Sequence, residues 1–165
     1  MELQSLRLIL HRIEQSEAQA IVDGSGRDGP SPGGGSWHPD YPLDAELDPL
    51  RVLATATNTP TDFTLYQMRL RISEVAIGGI GFFGPPDSEG TVEVGFGLVE
   101  AERGKGLATE SIKTMIEFAK RSGARRIRAD TAVDNLASQR VLQKAGFAQT
   151  HRTGGPLYFQ RDLGS

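Results

Sequence analysis

Apolar or small and charged residues alternate one for one from position 126. Ile127, Ala129, Thr131 and Val133 fall on one side, and Arg126, Arg128 and Asp130 on the other. A period of two is that of a strand with one buried face. Upstream the period lengthens: Ala108, Ile112, Met115 and Ala119 recur at i, i+4, i+7 and i+11, one apolar stripe along a helix that Gly123 ends. Outward of these, the chain reads as an opening strand and helices, one of them running through Leu53 with acidic residues at its start. Residues 63–72 alternate imperfectly, Phe63, Leu65, Gln67, Arg69 and Arg71 against Thr64, Tyr66, Met68, Leu70 and Ile72. With runs at 78–82 and 93–98 and a turn at Pro85-Pro86-Asp87-Ser88-Glu89-Gly90, they predict an antiparallel meander. After the strand from 126, Asp134 or Asn135 caps a further helix that Gly146 ends, and a last strand carries Tyr158. The expected class is α/β, a mixed sheet with helices on its faces and a binding crevice near strand ends.

Between the run ending at Val99 and the helix from Leu107 lies Arg103-Gly104-Lys105-Gly106-Leu107-Ala108-Thr109. The first N–H groups of a helix have no partner, and Gly104 and Gly106 let the backbone approach a ligand without Cβ interference. Free amides and the positive end of the helix dipole suit a pyrophosphate, and Arg103 and Lys105 add flanking cations. A Walker loop is excluded because Lys105 is followed by Gly106. A dinucleotide fingerprint is excluded because Thr109 stands where its third Gly belongs.

What remains is Arg103, two residues, Gly106, one residue, Ala108. It resembles the acetyl-coenzyme A loop of the GNAT N-acetyltransferase superfamily: Gln or Arg, two residues, Gly, one residue, Gly or Ala. Gly78-Gly79-Ile80-Gly81-Phe82 resembles that family's third strand, Glu93-Val94-Gly95-Phe96-Gly97-Leu98 its fourth, and Leu107 to Ser122 the helix after the loop. The stretch Asn135-Leu136-Ala137-Ser138-Gln139-Arg140-Val141-Leu142-Gln143-Lys144-Ala145-Gly146-Phe147 resembles the N-x-x-S-x-x-V-L-x-K-x-G-F block of the ribosomal-protein and antibiotic acetyltransferase branch. Leu6-Arg7-Leu8-Ile9-Leu10 resembles that branch's opening strand. The likeness covers nearly the whole chain and is weakest from Asp23 to Leu50.

The resemblance implies a GNAT fold: a mixed, mostly antiparallel central sheet flanked by helices, with acetyl-coenzyme A in a cleft where the fourth and fifth strands splay. It implies acetyl transfer to a primary amine by direct attack in a ternary complex. Residues 103 to 109 would hold the pyrophosphate. Main-chain groups near Gly97, Leu98 and Val99 would pair with the pantetheine arm where the fourth strand bulges, a bulge that Gly95 and Gly97 fit. Asn135 would touch the arm or cap its helix. An amine must lose a proton before it attacks, since an unperturbed lysine amine has a pKa near ~10.4. Glu93 is the candidate acceptor, in the strand before the cradle and opposite in direction to Val92 and Val94; a solvent-facing strand Glu is the alternative. Glu100 and Glu102 read as surface charges. Many relatives protonate the leaving thiolate with a Tyr, but the aligned position here is Leu142. Ser138 is the residue left for that role or for a plain helix surface, and Tyr158 is a distant reserve.

The chain has 165 residues and reads as one domain over 1–165, long enough to bury roughly two-thirds of its unfolded surface. It contains no Cys, which removes disulfides and an acyl-cysteine route and fits a reducing, cytoplasmic setting. No apolar run approaches a membrane span, no signal peptide is visible, and a net charge of −3 argues against a nucleic-acid partner. His11, His38 and His151 show no metal-ligand spacing, so no metal is expected. Residues 24–36 are Gly, Ser and Pro-rich and read as a mobile loop. Trp37, Asp40 and Tyr41 follow, either as a wall over an amine or as a hydrophobic anchor for the loop. Asp28, Asp40, Asp44, Glu46 and Asp48, with no basic residue between Arg27 and Arg51, would favour a cationic substrate. The acceptor stays open among a small cationic amine, an aminoglycoside-like compound, an amino acid and a protein N-terminus. Relatives often dimerise, and the assembly also stays open. A non-catalytic coenzyme A-binding module is the rival reading.

Overall fold

The computed structural model describes residues 1–152 and 154–164. Its strands are β1 (Glu2–Gln4), β2 (Leu8–Arg12), β3 (Ser36–Trp37), β4 (Leu65–Leu70), β5 (Val75–Phe82), β6 (Thr91–Leu98), β7 (Arg126–Thr131), β8 (Ala148–Arg152) and β9 (Leu157–Asp162). The helices are α1 (Gln15–Asp23), α2 (Asp44–Ala54), α3 (Leu107–Arg121) and α4 (Leu136–Lys144). The sheet runs β1-β2-β4-β5-β6-β7-β9-β8, with β3 added beside β5. Every pairing is antiparallel except β6 with β7 and β3 with β5. The parallel β6–α3–β7 unit has the crossover helix that such a pair requires.

Alternation along the central strands gives the sheet two different faces. On one, Leu10, Tyr66, Met68, Ile80, Phe82 and Val94 are buried, and α3 covers them. Phe118 of α3 stands 5.9 Å from Phe82 and 6.2 Å from Tyr66, ring centre to ring centre, and Phe63 closes the cluster at 5.2 Å from Phe82. On the other face β5 and β6 carry Gly79, Gly81, Gly95 and Gly97 in two directly opposed pairs. The helical pair α1 and α2 packs on this side, bringing Leu43 and Glu46 over the glycines.

Several elements depart from the sequence expectation. The opening strand is shifted to 8–12, because Ser5–Arg7 turn the chain (Ser5 N–H donates to Leu8 O, 3.0 Å) between β2 and the unforeseen β1. The strand from 126 stops at Thr131, and Val133 lies exposed beyond it. One final strand was expected where β8 and β9 form a hairpin. No helix among the described residues is long and apolar enough to cross a membrane.

The bulge expected at Gly95 and Gly97 is absent: β5 and β6 stay in register from Gly78↔Leu98 to Phe82↔Val94. The sheet opens on the other edge of β6. Its pairing with β7 runs only from Thr91↔Arg126 to Glu93↔Arg128, after which β6 follows β5 to Leu98 and β7 follows β9 to Thr131. The carboxyl ends of the two parallel strands therefore part, and the N-termini of α3 and α4 stand beyond them.

Candidate active site

The cradle is built by two left-handed glycines, Gly104 (φ 78°) and Gly106 (φ 82°), the second of which is the N-cap of α3. A side chain at either would be strained, so the sequence places Gly where the turn requires it. No side chain caps α3, and the amides of residues 104 to 109 find no backbone acceptor among the described residues. The turn is held from outside. Arg7 donates from Nη1 to Lys105 O (2.9 Å), while its main-chain N–H and Nε both donate to the Glu110 carboxylate (2.8 Å each). Ser5 Oγ donates to the same carboxylate, and these bonds hold Glu110 below the usual carboxylate range against the opposing effect of burial. Arg103 Nε donates to Leu98 O at 3.0 Å, tying the loop to the end of β6. Lys105 Nζ pairs with Glu102 at 3.1 Å.

Beside the cradle, the gap between β6 and β7 exposes main-chain groups. Phe83 N–H donates to Glu93 O (3.0 Å) and Val99 N–H to Ile77 O (2.8 Å), so 93, 95, 97 and 99 face β5. Antiparallel alternation then turns Phe96 and Leu98 toward the gap. Val99 is used internally at both ends, since its carbonyl accepts Glu102 N–H (3.0 Å).

A cavity of about 220 Å³ lies on the glycine face, between the floor made by Gly79, Gly81, Gly95 and Gly97 and a lid made by Leu43, Glu46 and Leu50. A Cβ at Gly97 would come within 2.7 Å of Leu43 Cδ1, and one at Gly79 within 2.8 Å of Glu46 Oε1. Glu46 is the single carboxylate in the lining. Its Oε1 is wholly buried and has no hydrogen-bond partner among the described residues. Burial pushes its pKa up to about 7, an effect only partly offset by the main chain at Leu43 and Gly79. The buried Tyr41 ring lies alongside, its hydroxyl pushed up by burial and by the Glu46 charge.

The family model described as "Acetyltransferase (GNAT) domain" matches residues 7–148. The chain belongs to this family. An uncharacterized N-acetyltransferase of Bacillus subtilis, YjdG, is 40% identical over 78 residues, covering 47% of this chain and 46% of that protein. The aminoglycoside N(6')-acetyltransferase type 1 of Serratia marcescens is 36% identical over 70 residues, 41% of this chain and 46% of that one. The chain spans about half the length, or less, of the curated relatives it matches. Among solved structures, a putative ribosomal-protein-serine acetyltransferase from Vibrio cholerae superimposes with a TM-score of 0.68 at 12% identity, covering 98% of this chain and 97% of that one. At that identity the likeness is one of fold.

In this GNAT domain the residues singled out from the sequence lie in separate places. Gly104, Lys105, Gly106, Leu107, Ala108 and Thr109 form the turn and first helical residues of the cradle, with Arg103 and Leu98 bonded beside it. Asn135 caps α4 by accepting Ser138 N–H on Oδ1 (3.1 Å), which places Ser138 in the first turn, half-buried, beyond the end of β7. Leu142, expected from the resemblance to stand at the position of the family's Tyr, is fully buried. Tyr158 stacks on His151 at 4.5 Å on the β8–β9 hairpin.

Of the substrate-side residues, Tyr41 alone lines the cavity. Trp37 lies 5.9 Å from Tyr41, with the Arg27 guanidinium 4.7 Å over its ring and its Nε1 donating to Gly29 O (3.1 Å). These contacts lay the 24–36 segment against the body. Asp40 is exposed outside the lining. Glu93 shares the glycine face but is half-exposed, stands outside the lining, and has Arg128 Nη2 at 3.9 Å. The sequence places Glu46 among the acidic residues that would favour a cationic substrate or sit at a helix start and does not single it out, although Glu46, Leu50 and Leu53 fall at i, i+4 and i+7 on one stripe.

Proposed function

We propose that this chain is an acetyl-coenzyme A-dependent N-acetyltransferase whose acceptor amine enters the glycine-floored cavity and gives its proton to Glu46. The buried Oε1 of Glu46 carries the reading: a carboxylate oxygen without a hydrogen-bond partner among the described residues, in an apolar cavity, suits a ligand N–H. A pKa near 7 suits a general base working at neutral pH.

The donor fits the residues present. The uncapped amides at the start of α3 and the two left-handed glycines would hold its pyrophosphate, and the Phe96 main chain and the Leu98 N–H would pair with its pantetheine arm, the Leu98 carbonyl being taken by Arg103. When bound it supplies the thioester. The chain's residues do the rest. Glu46 takes one proton from the bound ammonium, leaving a neutral nitrogen. As the carbon–nitrogen bond forms and the carbon–sulfur bond breaks, a second amine proton is lost and the sulfur leaves as a thiol. Ser138, at the first turn of α4, is the side chain proposed to stand nearest the sulfur. Glu93 is the competing acceptor on the same face.

The test is thiol release from acetyl-coenzyme A with a primary amine, free of protein thiol background because the chain has no Cys. Glu46→Gln should abolish the rise in rate toward neutral pH, and Glu93→Gln should leave it in place. The reverse result moves the proton to Glu93, and binding without turnover by any amine would leave a coenzyme A-binding module.

A further inference from the structure

We infer that the acceptor is a small monoamine borne on an apolar body, not a polycation. This rests on the acetyltransferase reading above and names the substrate class of that same site. Three observations converge. The cavity, about 220 Å³, falls below the ~300–1,000 Å³ of sites for drug-sized ligands, so the part of the acceptor it encloses is small. Its walls are apolar: Ile13, Leu43, Leu50, Leu65 and Phe83 surround a floor of bare peptide groups. One carboxylate, Glu46, meets them.

Charge arithmetic then separates candidate amines. A ligand with one ammonium finds its counter-charge at Glu46 and places its carbon skeleton against the leucines and Phe83. A ligand with three or four ammonium groups finds one counter-charge there and has no apolar body to place on the walls; its remaining charges must stay in water at the mouth beside Phe83, because burying them unpaired would be far more costly. The other acidic residues of α2 do not relieve this. Asp44 and Asp48 point to solvent, and Asp48 is already paired with Arg51 at 2.8 Å. Apart from Glu46, the acidic residues of 28–48 are therefore exposed and stand outside the cavity lining.

Phe83 is the residue to move, because it lines the cavity while remaining 58% exposed, so a polar substitution there leaves the core intact. Binding of 2-phenylethylamine, hexylamine, putrescine, spermidine, kanamycin and an Ala-initiated peptide is measured by calorimetry with coenzyme A present. Thiol release with acetyl-coenzyme A is measured in parallel. Wild-type protein should prefer 2-phenylethylamine and hexylamine over spermidine and kanamycin by at least about tenfold in affinity and in kcat/KM. Phe83→Asp should narrow that gap and raise putrescine. Tighter binding of spermidine, kanamycin or the peptide overturns the inference, as does binding of no amine. Preferential binding of the monoamines with no thiol release from any amine upholds the inference and sinks the catalytic reading instead.

Discussion

Glu46 of α2 and Gly79 of β5 are in direct apposition: a methyl group at position 79 would sit 2.8 Å from Oε1 and 3.0 Å from the carboxyl carbon. Gly79 is not among the positive-φ glycines, so its value here is the absence of a Cβ and not backbone freedom. Together with Gly97, whose Cβ would strike Leu43, it lets the start of α2 descend onto the sheet and brings a carboxylate into an apolar chamber.

Gly79→Ala should separate position from fold. The clash is with the far end of a flexible side chain, which can swing away, and Ala suits a strand at least as well as Gly. We expect a melting temperature close to the wild type and a thiol-release rate lower by about ten- to a hundredfold, the usual scale for displacing a reacting group by an ångström. Full activity in a folded Gly79→Ala protein would mean that the Glu46 position is not needed.

The pH dependence follows from the raised Glu46 pKa. The carboxylate is the proton-accepting form, so kcat/KM should climb as pH rises through about 7 and level off above it. Glu46→Gln should remove that limb and lower the plateau by roughly 10²–10⁴-fold. A profile unchanged in shape would exclude Glu46 as the base.

The same burial has a stability signature of definite sign. Glu46 titrates near 7 when folded and near 4.5 when exposed, so the folded state holds the extra proton between those values. Its contribution is complete below pH 4.5 and is lost as pH rises through 7, an upper bound of roughly 3 kcal/mol. Wild-type protein should therefore lose several degrees of melting temperature between pH 5 and 8 relative to Glu46→Gln. Parallel curves for the two proteins would show that the carboxyl is not buried in solution.

What the chain discloses in advance depends on whether a residue's surroundings are local. The 107–121 helix and the 126–131 strand are legible because each meets one apolar layer, which imprints a clean period on the sequence. The cradle is legible because left-handed turns draw glycine wherever they occur. Glu46 is not, since a carboxylate in a helix's first turn looks like a response to the dipole. Its burial is set by Gly79 and Gly97 in distant strands, of which Gly97 reads as part of a bulge and Gly79 as an ordinary strand residue. The parting of β6 from β7 was read through family likeness, because nothing in the local sequence at Glu93 or Arg128 marks the last paired residues.

Arg7 touches the cradle from behind. Arg7 Nη1 holds Lys105 O, and in a planar trans peptide the N–H of Gly106 points opposite to that carbonyl, out of the turn and into the cradle. Glu110 keeps the guanidinium in place through Nε and the Arg7 amide. Arg7 would thus act as a positioning residue for the proposed anion site, since its guanidinium is spent on Lys105 O and Glu110. Arg7→Ala should weaken coenzyme A binding several-fold and raise the acetyl-coenzyme A KM, with kcat at saturation little changed. Arg7→Lys should rescue only part of this, because an ammonium cannot reproduce the fork that spans Glu110 and Lys105 O together. Gly106→Ala gives the comparison: its φ of 82° costs a side chain roughly 1–2 kcal/mol, a loss in the same KM and also in thermal stability. A coenzyme A affinity in Arg7→Ala equal to wild type, by calorimetry at low salt, would show that the turn keeps its shape unaided.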